Sequence, residues 1–156
     1  MSVHPRQVTP SLLQVNSVLA RLTGSEAAIE VCRFLRGEFP QYRWIGVYRI
    51  DGGSFRLEGS DGATIDPAPD GPIDGTTLGR AAETGQPVLL SDLATDGAEP
   101  GRVAGVRSRV TVPIRVGPGV AGAIVAESSS FAPLDASDAR FLEQVAGKLA
   151  PRLASG

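Results

Sequence analysis

Ser108–Ser128, SRVTVPIRVGPGVAGAIVAES, is the stretch whose reading decides the fold. Val110, Val112, Ile114 and Val116 alternate with Arg109, Thr111, Pro113 and Arg115. A period of two marks a strand with one face on a core. Gly117-Pro118-Gly119 then signals a tight turn. Beyond it, Val120, Gly122, Ile124, Ala126 and Ser128 share one face, and Ala121, Ala123, Val125 and Glu127 share the other. One side of this hairpin is greasy and the other carries an arginine, a threonine and a glutamate. That split predicts helices behind the sheet and a pocket in front of it. Pro113 cannot donate to a ladder, so a bulge or an edge position is expected there.

Outward toward the N-terminus, Pro87–Ser91 reads as a short strand, and Thr76–Glu83 as a short helix closed by Gly85. Ser54–Ser60 and Arg43–Ile50 read as strands joined by the hairpin signal Asp51-Gly52-Gly53. Hydrophobicity places Ile45, Val47, Phe55, Leu57, Val116 and Val120 with the greasy face, and Trp44 and Tyr48 opposite. Two helices precede them. The first is capped by Thr9 with Pro10 at its first position and has the stripe Leu12, Val15, Val18, Leu19 and Leu22. The second is capped by Ser25 and has the stripe Ala28, Val31, Cys32, Leu35 and Phe39. Residues 1–8, with His4, are expected to be a flexible tail. Toward the C-terminus, Asp135 caps a last helix whose stripe is Phe141, Leu142, Val145, Ala146, Leu149 and Leu153. Asp61–Gly75 and Asp92–Val106 read as long loops. The four aspartates of the first lack the alternating ligands and closing glutamate of a calcium loop, so it is read as a solvated loop.

The fold class that follows is α+β: one domain over residues 1–156, an antiparallel sheet with the three long helices on one face and a loop-covered pocket on the other. A chain of 156 residues buries roughly 70% of its unfolded surface and needs no disulfide or metal to fold. A net charge of −2 without a basic cluster argues against a nucleic-acid partner. There is one cysteine, Cys32, on a helix stripe, which reads as a buried thiol. No apolar run approaches the roughly 18 residues of a membrane span, and Met1–Pro10, MSVHPRQVTP, has no apolar h-region, so no signal peptide is expected. A cytoplasmic protein that uses no cofactor is expected.

Trp44–Tyr48 (WIGVY), Ser108–Ile114 (SRVTVPI), Gly122–Ser128 (GAIVAES) and Asp138–Ala146 (DARFLEQVA) together resemble a GAF domain, a ligand-sensing relative of the PAS fold. The resemblance spans roughly Ser25 to Leu153. The branch most alike in pattern is that of the free methionine-(R)-sulfoxide reductases, small standalone GAF enzymes. In that branch Trp44 and Tyr48 match aromatics lining the pocket, and Thr77 and Leu78 fall in a turn that carries a cysteine. Arg109 falls where the branch has an acidic residue. Of two further acidic positions, one falls on Val125 and the other is kept as Glu127. The branch's catalytic loop corresponds to Asp92–Arg107, which has no cysteine. Sulfoxide reduction by thiols needs one thiolate to attack and another to resolve the intermediate. The resemblance therefore implies the scaffold and the pocket, without the enzyme activity. The motif of the cyclic-nucleotide-binding branch, N-K-F-D-E, is absent, as is a G-x-S-x-G elbow.

The candidate ligand-binding residues are Trp44, Tyr48, Thr77, Leu78, Arg109, Thr111, Val125 and Glu127. Aromatic walls with a few convergent polar groups suit a small-molecule site. Arg109 would favour a carboxylate or phosphate, helped by backbone N–H groups at the short helix's start. The competing reading is a cross-strand Arg109–Glu127 ion pair under a loop. Two functions stay open: a non-catalytic sensor that binds a small molecule and signals to a separate partner, or a degenerate domain serving dimerisation or protein interaction. A homodimer through the first and last helices is expected by analogy, with Leu13 and Phe34 off their stripes.

Overall fold

The hairpin lies at the heart of a six-stranded antiparallel sheet. The computed structural model describes residues 2–62, 68–93, 101, 105–129 and 133–154. In chain order the elements are α1 (Pro5–Leu19), α2 (Gly24–Glu38), β1 (Trp44–Asp51), β2 (Ser54–Asp61), β3 (Asp70–Pro72), α3 (Thr77–Thr84), β4 (Val88–Leu90), β5 (Val106–Val116), β6 (Gly119–Ser129) and α4 (Ala136–Ala154). The strand order is β3-β2-β1-β6-β5-β4. This is the expected α+β class. Much of the two predicted loops, residues 63–67, 94–100 and 102–104, lies outside the described residues, and with it their expected role as covers.

On one face, Ile45, Val47, Val110, Val112, Ile114 and Ile124 meet the stripes of α1, α2 and α4 in the main core. On the other, Trp44, Tyr48, Ile50, Phe55, Ala123 and Val125 form a second cluster with Leu78 of α3. Phe55 and Leu57 thus belong to the face opposite the long helices, contrary to the sequence expectation. The cause is register. The two-residue turn pairs Asp51 with Ser54, Ile50 with Phe55 and Tyr48 with Leu57, and paired residues share a face. A shift between Val47 and Tyr48, with Glu58 as the extra residue, then returns Gly59 to Val47's side. A second shift between Ile114 and Arg115 pairs Val120 with Arg115 and moves it to the second cluster, while Val116 at the tip is 41% exposed. Pro113 lies two residues past the last β4 pair, Val88↔Thr111, where β5 is itself the edge.

The bulged Glu58 is an ionic hub on the helix side. Its Oε1 accepts from Arg49 Nε (2.9 Å) and Arg56 Nη2 (2.7 Å), and its Oε2 accepts from Ser25 Oγ (2.7 Å). Burial pushes this carboxyl up, but the hydrogen bonds from Arg56, Ser25 and Arg49 outweigh it and bring it down to about 2. Ser25, expected as a cap, is recruited here instead, and Thr23 takes the N-cap position of α2.

The first residues are also tied down, so the expected tail is replaced by structure. α1 begins at Pro5 with His4 as its N-cap, in a capping box with Gln7; Pro10 sits inside the helix. Ser2 N donates to Asp135 Oδ2 (2.8 Å), Ser2 Oγ to Asp138 Oδ1 (2.9 Å) and Val3 N to Ser137 Oγ (2.9 Å). Tyr42 Oη donates to the same Asp138 oxygen (2.8 Å). Asp138 is fully buried, and that burial raises its carboxyl above the ordinary range against the pull of these hydrogen bonds. Thr9-Pro10 is a sound helix start locally; the contacts of Ser2 and Val3 with α4 favour the earlier one.

Candidate functional site

Alternation and register build the site in rows across the sheet. The first row is Trp44 (β1), Glu127 (β6), Arg109 (β5) and Leu90 (β4). The second is Gly46, Val125, Thr111 and Val88. The third pairs Tyr48 with Ala123. α3 lies over these rows, and Thr111 Oγ1 donates to Thr77 Oγ1 across 3.1 Å. All eight residues expected from sequence are brought to this face, and none is more than 5% exposed.

Trp44 lies flat along the strand. A Cβ on Gly46 would sit 2.3 Å from the indole Cη2, so the bare backbone of Gly46 is the floor of the ring. Gly46 was the residue to add from sequence: it stands two places after Trp44, on the same face. The Trp44 and Tyr48 ring centroids are 6.2 Å apart, and Tyr48 meets Phe55 edge-on at 5.3 Å. The indole Nε1–H of Trp44 is buried and has no hydrogen-bond partner among the described residues.

Beside it, Arg109 Nε donates to Glu127 Oε2 at 2.8 Å, with side chains 1% and 0% exposed. This changes the expected role of Arg109. The carboxylate that its guanidinium engages comes from the neighbouring strand, so the two charges cancel within the protein. Chain covers them too: a Cβ on Gly101 would lie 3.5 Å from Glu127 Oε1 and 2.8 Å from Val106 Cβ. The start of α3 is likewise engaged, since Thr76 Oγ1 accepts from Gly79 N (3.3 Å) and so satisfies a first-turn donor from within the chain.

Cys32 is on the other side of the sheet. It is fully buried between α2 and β2, its Sγ donates to Gly59 O at 3.8 Å, and burial pushes its thiol well above the ordinary value. That geometry disfavours a thiolate and gives it no access to the Trp44 face. Among the described residues no group of three or more His, Cys, Asp or Glu is placed to hold a metal ion, and no helix is long and apolar enough to cross a membrane.

A family model described as GAF domain matches residues 25–153. The chain belongs to the GAF domain family. No curated protein matches it by sequence. Solved structures show how widely this GAF fold is shared. The free methionine-R-sulfoxide reductase from Neisseria meningitidis, in complex with its substrate, is 24% identical, with a TM-score of 0.83 over 96% of this chain and 88% of that one. The type II free methionine-R-sulfoxide reductase from Thermoplasma acidophilum is 20% identical, with a TM-score of 0.75 over 93% and 96%. The GAF domain of a phosphoenolpyruvate-protein phosphotransferase from Coxiella burnetii is 15% identical, with a TM-score of 0.85 over 98% and 96%. At these identities the likeness is one of fold, and the GAF fold here carries both enzymes and a domain of a larger protein.

Proposed function

We propose that this GAF domain is a non-catalytic sensor that binds a small molecule on the Trp44 face and passes the signal to a separate partner. One observation carries the reading: a buried polar row, Trp44–Glu127–Arg109, set in an apolar surround. Burying two charges and an indole N–H where valine or leucine would fit is costly for a face that only packs. Against catalysis of the sulfoxide-reductase type stand the single cysteine of the chain and its place across the sheet. Native mass spectrometry of freshly purified protein tests the reading through a retained small molecule. Its release by Trp44→Ala supports the site. A ligand retained equally by that variant would place binding elsewhere. Turnover of free methionine sulfoxide with a thiol reductant, lost in Cys32→Ser, would refute the non-catalytic assignment.

A second reading is favoured by the near-complete burial of all eight site residues. In it the face is filled and the domain works by association, as a homodimer through α1 and α4. Leu13 on α1, 61% exposed, is the apolar residue available to such a contact. Light scattering at high concentration decides it: a monomeric mass removes this reading.

A further inference from the structure

We infer, on the reading that the Trp44 face is a ligand site, that its ligand is an uncharged molecule with an apolar body and a hydrogen-bond acceptor seated on the indole N–H of Trp44. The site's own charges set the first part. Arg109 and Glu127 are each within 1% of complete burial and bonded from Nε to Oε2 at 2.8 Å, so they meet a ligand as a net-neutral pair. An ionised ligand would enter a dry site where the opposite charge is already engaged. It would have to leave its own charge uncompensated or break the pair, and both are heavily penalised away from water.

The second part comes from the donors. The Thr77 and Thr111 hydroxyls are joined to each other at 3.1 Å. The Trp44 N–H, fully buried, has no partner among the described residues. A buried donor left unmade is costly, so an acceptor that meets it is selected over a purely apolar occupant. Trp44, Tyr48, Leu78 and Val125 give the rest of the surface an apolar character that matches an aromatic or aliphatic body.

Trp44 is the only tryptophan in the chain, so its indole N–H gives a single, assignable cross-peak in a proton–nitrogen spectrum. The probes are a matched series at pH 7: phenylacetamide, phenylacetate, phenethylammonium, phenylalanine and ethylbenzene. Titrations run into the millimolar range expected of fragments of about ten heavy atoms. Phenylacetamide is expected to move the indole cross-peak downfield and saturably. Phenylacetate, phenethylammonium and phenylalanine are expected to bind at least about tenfold more weakly, and ethylbenzene to bind without the downfield shift. In Trp44→Phe, followed by saturation transfer to the ligand, both ligands lose the contact area of the larger ring, and phenylacetamide loses about five- to tenfold more affinity than ethylbenzene, the worth of one net hydrogen bond.

The inference is overturned, with the site left standing, if a charged member of the series binds tightest while perturbing Trp44. It is equally overturned if phenylacetamide binds with the cross-peak unmoved, or if Trp44→Phe costs it no more affinity than it costs ethylbenzene. If no member of the series perturbs Trp44, the reading of this face as a ligand site falls together with the inference.

Discussion

Removing one member of the Arg109–Glu127 pair is expected to cost far more than removing both. The two groups are 1% and 0% exposed and 2.8 Å apart. At an effective dielectric of about 20, unit charges this close attract by roughly 4–6 kcal/mol. Desolvating each ion costs several kcal/mol, so the net contribution of the pair is near zero. Arg109→Met leaves Glu127 buried without its opposite charge, and a loss of about 3–5 kcal/mol follows. For a domain of this size that is a fall in Tm of roughly 6–20 °C. Arg109→Met/Glu127→Leu replaces both charges with apolar groups and is expected to range from near wild-type stability to about 4 kcal/mol above it. The assay is urea unfolding of the four proteins of the cycle, followed by Trp44 fluorescence and by far-ultraviolet circular dichroism, with unchanged m values. If the double variant loses as much as the two single losses together, the pair is not an energetic unit. If Arg109→Met costs under about 1 kcal/mol, the pair is solvated and the dry-site reasoning fails.

Three further expectations follow from particular contacts. Gly46→Ala would place a Cβ 2.3 Å from the Trp44 ring, so a loss of about 1–3 kcal/mol and a shifted tryptophan emission are expected; unchanged emission and stability would contradict the flat seating of the indole. Glu58, brought down to about 2 from an unfolded value near 4.3, contributes stability that is present above about pH 4.3 and lost as pH falls toward 2, up to about 3 kcal/mol. Asp138, raised first by burial, works in the opposite sense as pH falls, whereas Asp135, in which burial is outweighed by hydrogen bonds from Ser137 and Ser2, works in the same sense as Glu58, so Glu58→Gln should flatten the acid slope; a slope like wild type's would refute the hub. Cys32 should resist an aromatic disulfide reagent in the native protein and react at the rate of unfolding, whereas immediate stoichiometric reaction would show an accessible thiol.

Short-range patterning was enough for much of this molecule. The alternation in Arg109–Val116 and Ala121–Glu127 assigns Arg109, Thr111, Val125 and Glu127 to one face, and the spacing of Trp44 and Tyr48 places both of them opposite Ile45 and Val47. Helix stripes and the turn at Asp51-Gly52-Gly53 are equally local, because side-chain period and turn conformation depend on only a few consecutive residues. Other features depend on partners distant in the chain. Hydrophobicity alone puts Phe55 and Leu57 with Ile45, but their pairing with Ile50 and Tyr48 puts them on the opposite face. The start of α1 depends on Asp135, Ser137 and Asp138, more than 130 residues away. The tertiary structure also determined whether Arg109 offers its charge to a ligand or spends it on Glu127. Sequence put both on one face of adjacent strands, whereas the β5–β6 register, set by the shift at Ile114/Arg115, made them direct neighbours, 2.8 Å apart and shielded from solvent.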